Sequence, residues 1–334
     1  MARATRIAVV QPDSPRYINP YDPTCTYESL QPILNANIQN KLDLAEQAAE
    51  QGVDLVVTPE DSAGSNCYAF RPDEGELYRR LAETVPGPTT QRASKLAATH
   101  AIHLVINLLE VDGDHYHNTS VLIGPNGQII GKYRKVHLAL EENYFLTAGD
   151  HYPVFDTDLG RIGLLICFDV FFPESATCLA LNGADLICLS TYGICPAGDA
   201  DQTLRVRARA CDNSVYFAMS MYGSNKAGEA TSHPGRSCIV DLAGNVLADA
   251  AYWADSIAVA TVDMDRKRYD EWNAVHSGIT DYRAFILSGR RPATYSLLGD
   301  TNTPLHQRCQ DQRMRSLDEY QAYAREQQRR YREK

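Results

Sequence analysis

An α/β layered fold with mixed sheets is the architecture this sequence predicts. Short runs rich in Val, Ile and Leu alternate with stretches of helical periodicity, the pattern of strands layered against helices. Turn signals at Gly113-Asp114 and Gly124-Pro125-Asn126-Gly127 each join two strand-like runs, so some neighbouring strands run antiparallel. No Pro-, Gly- or Ser-rich linker and no internal repeat divides the 334 residues, which favours one main domain.

The first strand is expected at 5–11. Residues 12–32 follow as a long insertion carrying Pro12, Ser14, Pro15, Tyr17, Pro20, Tyr21, Pro23 and Tyr27. Loops of that length are uncommon inside a compact domain, and a rim or lid beside a pocket is weighed against a surface excursion or subunit contact. A helix over 37–51 gathers Ile38, Leu42, Leu44, Ala45, Ala48 and Ala49 on one face, with Gly52 placed to end it. A strand at 53–60 ends in Glu60, a helix occupies 88–100, and strands at 103–111 and 119–125 flank the first turn. Beyond a basic cluster at 131–138 come a strand at 161–169 and a helix at 174–182, whose first turn suits Pro173 and Glu174. A strand at 184–191, a helix at 200–213 and strands at 215–222, 237–242 and 256–264 complete the set. Residues 298–334 form an extension ending in a polar helix-forming run, expected to be partly helical and to pack on a partner subunit.

Composition narrows the function. With 44% hydrophobic and 22% charged residues the chain is ordinary globular material. A net charge of −10 argues against nucleic acid as a partner. The apolar runs stop far short of the ~20 residues a spanning helix needs, so no membrane is expected. Met1 to Arg6 leads into the first strand without a secretory apolar region, and the nine scattered cysteines suit reduced thiols; both point to the cytoplasm. His115-Tyr116-His117 is the one close histidine pair and lies in a polar stretch, so neither a metal nor a cofactor is expected.

Three segments carry reactive groups. Leu164-Leu165-Ile166 runs into Cys167, where a buried strand turns toward a helix and the following N–H groups can stabilise a thiolate or oxyanion. By itself such a cysteine is more often an inert small hydrophobe. Glu60 closes the run Val53 to Val57, where a cap is the bland alternative to an acid or base. Lys135 lies in Gly131-Lys132-Tyr133-Arg134-Lys135-Val136-His137, which alone reads as a solvated basic surface.

Taken together, Thr58-Pro59-Glu60, Tyr133-Arg134-Lys135-Val136-His137, Ile166-Cys167-Phe168-Asp169 with Pro173-Glu174, and Gly235-Arg236-Ser237-Cys238-Ile239-Val240-Asp241 stand in a familiar order. The chain resembles the nitrilase superfamily of carbon–nitrogen hydrolases from about residue 5 to about residue 297. The resemblance implies a four-layer αββα sandwich with two mixed sheets, assembled as a homodimer or higher homo-oligomer. It implies Cys167 as nucleophile, Glu60 as base and Lys135 as oxyanion stabiliser beside the backbone N–H of Phe168. A second glutamate fits Glu141 by the spacing to Tyr144-Phe145, with Glu142 one residue away as the alternative. His137 fits a frequent supporting hydrogen-bonder.

The same resemblance orders the substrates. Nitrile hydrolases of the superfamily usually follow the cysteine with Trp-Glu, whereas Phe168 and Asp169 are nearer its amidase-like branches. Carbamoyl amino acid hydrolases often place arginines where Val170, Phe171 and Phe172 stand, so a small-molecule amide with a neutral or apolar acyl group is favoured. Phe168, Phe171, Tyr68, Phe70 and Tyr192 are the candidate aromatic walls. A carbamoyl compound, a nitrile and a non-catalytic binding relative are the alternatives, as is a Cys/His/Asn triad drawing on His137, His151 or His233.

Overall fold

The structure is a computed structural model that describes residues 4–139, 142–193, 202–224, 235–266, 275–276, 278, 280–305 and 316–333. Two six-stranded mixed sheets lie face to face. The first runs in the order β12 (Ser256–Asp263), β1 (Ala4–Gln11), β2 (Leu55–Val57), β3 (His103–Asp112), β4 (His115–Ile123), β5 (Ile129–Arg134). The second runs β11 (Val246–Asp249), β10 (Cys238–Val240), β9 (Tyr216–Ser220), β8 (Leu186–Ser190), β7 (Gly160–Ile166), β6 (Val154–Thr157). In each sheet three central strands are parallel, β1-β2-β3 and β7-β8-β9, and the flanking pairs are antiparallel.

Strand periodicity explains the layers. Ile7 and Val9 join Leu55, Val57, Val105 and the second sheet's Leu164, Ile166, Ile187 and Leu189 in the core between the sheets. Ala8, Val10, Val56, Leu104 and Ile106 face the other way, onto helices α1 (Tyr27–Ala49) and α3 (Pro88–His100). Because both faces are covered, these strands read as continuous apolar runs rather than alternating ones. Helices α5 (Pro173–Leu181) and α6 (Gln202–Asn213) cover the second sheet through Ala176, Leu179, Val206 and Ala210. The expected four-layer αββα sandwich is the observed architecture.

The differences from expectation have local causes. Helix α1 begins at Tyr27 rather than near 37, shortening the insertion; Thr26 and Ser29 cap it reciprocally, and Pro32 inside it masks the start. Strands β5, β6 and β11 lack an apolar signature because they lie toward or at the sheet edges. In β5 the basic cluster is not merely a solvated surface. Lys132 and Arg134 reach across β4 to the buried Glu110, whose carboxyl burial would raise but which Arg134 and Lys132 hold down to about 2. The remaining helices are α2 (Glu76–Arg80), α4 (Glu142–Phe145), α7 (Tyr282–Ser288) and α8 (Leu317–Arg332). No helix among the described residues is long and apolar enough to cross a membrane.

Candidate active site

The carboxyl ends of the central strands converge, the usual place for a site in parallel sheets. Beyond β2 the chain reaches Glu60, beyond β7 Cys167, and beyond β8 Thr191 and Tyr192. Cross-sheet hydrogen bonds lock these ends together: Ser190 Oγ donates to the Thr58 carbonyl at 2.8 Å, and Tyr222 Oη to the carbonyls of Glu60 and Asp61 at 2.9 Å each.

Glu60 is 1% exposed and its carboxylate accepts from three donors. Oε1 accepts from Lys135 Nζ at 2.8 Å and from Asn118 Nδ2 at 2.8 Å, and Oε2 accepts from the Tyr192 N–H at 2.8 Å. Lys135, 2% exposed, also donates to Glu142 Oε2 at 2.8 Å. Glu142 in turn accepts from Asn118 Nδ2 at 2.7 Å and the Ala139 N–H at 2.8 Å. One ammonium therefore faces two carboxylates, and Asn118 with the two amides supplies the donors that let the second charge stay buried. Burial alone would lower the Lys135 ammonium's pKa; Glu60, Glu142 and Cys167 outweigh it and hold the pKa well above the usual lysine value.

Cys167 begins a 3-10 turn, Cys167–Phe171, immediately after β7. Its φ of 42° is the left-handed region that non-glycine residues avoid, a strain the surroundings must hold. Asp169 supplies that brace. Its Oδ2 accepts from Tyr133 Oη at 2.8 Å and the Ile166 N–H at 3.0 Å; its Oδ1 accepts from the His137 N–H at 3.0 Å and His137 Nδ1 at 2.9 Å. Helix α5 starts only at Pro173, so the groups that follow the sulfur belong to this tight turn, not to the helix terminus expected from sequence. Burial, followed by the nearby Glu60 carboxylate, pushes the Cys167 thiol up to about 12, with Lys135 opposing. These influences favour the thiol over the thiolate.

These groups share a cleft of about 340 Å³ lined by Glu60, Lys135, Glu142 and Cys167, with Asn66, Cys67 and Gln202 as further polar or thiol groups and Phe70, Phe168, Phe171, Tyr192 and Ala139 as apolar wall. Of the wall residues expected from sequence, Phe168, Phe171, Phe70 and Tyr192 line it. Tyr68 does not: it is fully buried behind the wall with Cys25, Leu30, Leu34 and Leu77, its hydroxyl accepting from the Ile18 N–H at 3.3 Å. His137 also stands outside the lining, stacked on Phe172 at 3.7 Å and tied to Asp169, because the brace consumes its ring nitrogen. Glu141 and His233 lie outside the described residues. His151 is exposed and paired with Asp150, so no histidine among the described residues lines the cleft. Residues 12–26 contribute nothing to the lining; Arg71 Nη1, donating to the carbonyls of Pro20 and Cys25, ties this segment behind the wall instead.

Sequence reasoning missed Asn118 and its orienter Asn107, whose Nδ2 donates to Asn118 Oδ1 at 2.9 Å and Ser120 Oγ at 3.1 Å. A signal existed for Asn107, a polar residue interrupting an apolar strand, since such residues are buried only with partners; Asn118, in the polar half of β4, gave none. No group of three or more metal-ligating side chains suited to an ion occurs among the described residues.

Comparison with known proteins agrees with the geometry. A family model described as carbon–nitrogen hydrolase matches residues 6–273. A protein named nitrilase from Pyrococcus abyssi is 33% identical over 241 residues, covering 72% of this chain and 88% of that protein. The human omega-amidase NIT2 is 31% identical over 249 residues, 72% of this chain and 86% of its own length. Among solved structures, a mutant amidase of the nitrilase superfamily from Nesterenkonia superposes with a TM-score of 0.66 at 23% identity, covering 88% of this chain and 97% of that one.

Proposed function

The chain belongs to the carbon–nitrogen hydrolase family, and from that premise we propose that it is a thiol amidase acting on a small linear amide with a neutral acyl group. The observation that carries this reading is the one cleft in which the Cys167 thiol, the Glu60 carboxylate and the buried Lys135 ammonium meet.

The chemistry follows from the protonation states. Since Cys167 holds its proton, attack on the carbonyl carbon requires that proton to leave as the C–S bond forms, and Glu60 is the acceptor beside it. Of the three ammonium protons of Lys135, two go to Glu60 and Glu142; the third is left for the carbonyl oxygen as it becomes an oxyanion, with the Phe168 N–H as second donor. Collapse breaks the C–N bond, and the leaving amine takes the proton from Glu60. Water then attacks the thioester, giving its proton to Glu60, and the acid departs as the thiol is restored. Glu142 serves as the second glutamate, orienting Lys135 and the substrate amide. The aromatic wall and the lack of any arginine among the described lining residues support a neutral acyl group. Hydrolysis of a nitrile is the second reading, favoured by the name of the Pyrococcus relative.

Ammonia release from butyramide, an N-carbamoyl amino acid and butyronitrile separates the readings. Turnover of the amide alone, abolished in Cys167→Ala, with an acyl adduct on Cys167 seen by mass spectrometry, is the expected outcome. Turnover of the nitrile without the amide would overturn the amidase proposal.

A further inference from the structure

The family model ends at residue 273, well before helix α8, yet that helix reaches the back of the pocket wall. A reciprocal cap between Ser316 and Glu319 starts it, and Glu326 pairs with Arg329 and Arg330 on its solvent side. Only Tyr320, Gln321 and Ala324 of the helix are buried, which defines one narrow contact face.

Tyr320 occupies the centre of that face and is 8% exposed. Its ring stacks on Tyr144 at 4.7 Å between centroids and stands 6.1 Å from Phe145 and 6.3 Å from Phe70. Its hydroxyl donates to the Ala69 carbonyl at 3.2 Å, and Gln321 Oε1 accepts from the Glu74 N–H at 3.3 Å. The two sides it touches are both parts of the site. The 3-10 turn Asn66–Phe70 supplies Asn66, Cys67 and Phe70 to the cleft, and helix α4 carries Glu142. Helix α4 is also packed tightly against Gly75, just beyond that turn: a Cβ there would lie 2.6 Å from the Phe145 ring.

We propose that Tyr320 is a positioning residue that sets the width of the acyl pocket, clasping the Phe70 wall to the helix that bears Glu142. Its ring holds the gap between these two elements; the hydroxyl, bonded to the Ala69 carbonyl, is secondary to the ring. Without the ring, Phe70 can retreat from the cleft into the vacated space, and acyl groups of greater bulk fit. The clasp rests on the amidase reading for its biological meaning, but its geometry is testable without turnover.

The test is size discrimination by Cys167 in the full-length protein. Rates of Cys167 alkylation by iodoacetamide and by N-benzyliodoacetamide, followed by peptide mass spectrometry, are compared in wild type, Tyr320→Phe, Tyr320→Leu and Tyr320→Ala. Tyr320→Phe is expected to keep the wild-type ratio, and Tyr320→Ala to shift it toward the bulky reagent by about tenfold, the scale of a misfitted hydrophobic pocket. Tyr320→Leu, which retains apolar volume and folding, is expected to fall between them. For turnover, KM should fall for bulky amides relative to acetamide in the same order. If the folded Leu and Ala variants keep the wild-type alkylation ratio while losing thermal stability, helix α8 is only structural and the proposal is overturned. A shifted ratio in a protein that releases no ammonia from any amide would uphold the clasp and defeat the amidase reading instead.

Discussion

Replacing Asn118 by Ala removes the one neutral side chain among the described residues that joins both glutamates. Its Nδ2 lies 2.8 Å from Glu60 Oε1 and 2.7 Å from Glu142 Oε1, and no other described side-chain amide reaches either oxygen. Hydrogen bonds to charged acceptors are worth about 1.5–3 kcal/mol each, so the deletion costs about 3–6 kcal/mol before water refills the space. Part of that loss falls on folding, since Asn107 Nδ2 keeps only Ser120 Oγ as partner and two carboxylates lose a shared donor. The rest falls on the proposed reaction, in which Glu60 accepts a proton from the Cys167 sulfur along a defined line. With about half assigned to each, kcat/KM drops by about 10- to 150-fold at 1.36 kcal/mol per decade, and unfolding free energy falls by about 1.5–3 kcal/mol. Ammonia release from butyramide and urea unfolding read the two parts separately. Asn118→Asp is expected to be worse than Ala, since it adds a third carboxylate against the pair. An Ala variant within about threefold of wild type in kcat/KM, or an Asp variant more active than Ala, would refute the claim that this bridge holds the site.

Three further outcomes follow from the same geometry. The log rate of Cys167 alkylation in the free protein should climb steadily with pH and show no plateau near pH 8 to 9; with the thiol pushed up to about 12, only roughly one molecule in ten thousand is thiolate at pH 8, and a plateau there would contradict a protonated resting sulfur. Asp169→Asn turns one of the four-fold acceptor's oxygens into a donor facing N–H groups, so unfolding free energy should fall by about 3 kcal/mol or more, and denaturant unfolding at wild-type stability would show that the elbow at Cys167 needs no brace. Gly149→Ala places a Cβ 2.2 Å from the Arg134 carbonyl, beside Lys135, whose carbonyl the Gly149 N–H binds at 2.8 Å; stability should drop by about 1–3 kcal/mol together with turnover, and an unchanged melting temperature would show that this loop yields freely.

The central strands were legible where they are buried on both faces, because such strands must be apolar along their whole length; the stacking of two sheets came from the family resemblance. At β5 the turn at Gly124–Gly127 announced a strand but its basic cluster misled, because Lys132 and Arg134 reach a carboxylate on β3, two strands away, rather than solvent. The start of α1 was hidden for a different reason: Thr26 and Ser29 cap each other, a local signal overruled by Pro32 nearby. In the site, Tyr68 looked like a wall residue beside Phe70, but within a 3-10 turn adjacent side chains diverge, and it turned inward to the cluster around Leu30. Helix α8 read as a solvated polar helix destined for a partner subunit, and most of its surface is exposed. Its one aromatic contact face rests on this chain's own pocket wall.

Residue order by itself indicated the alternation of strands and helices and the strand that delivers Cys167, since periodicity is a local property; the four-layer stacking and the choice of Glu60, Lys135 and Cys167 came from the family resemblance. The tertiary structure decided what those groups are to one another. Glu60 meets Lys135 across 75 residues and the Tyr192 amide across 132, and Asn118 joins them from a strand that carries no motif. Charge states depend on that meeting, because burial and neighbouring carboxylates, not residue type, keep the sulfur protonated and the ammonium charged.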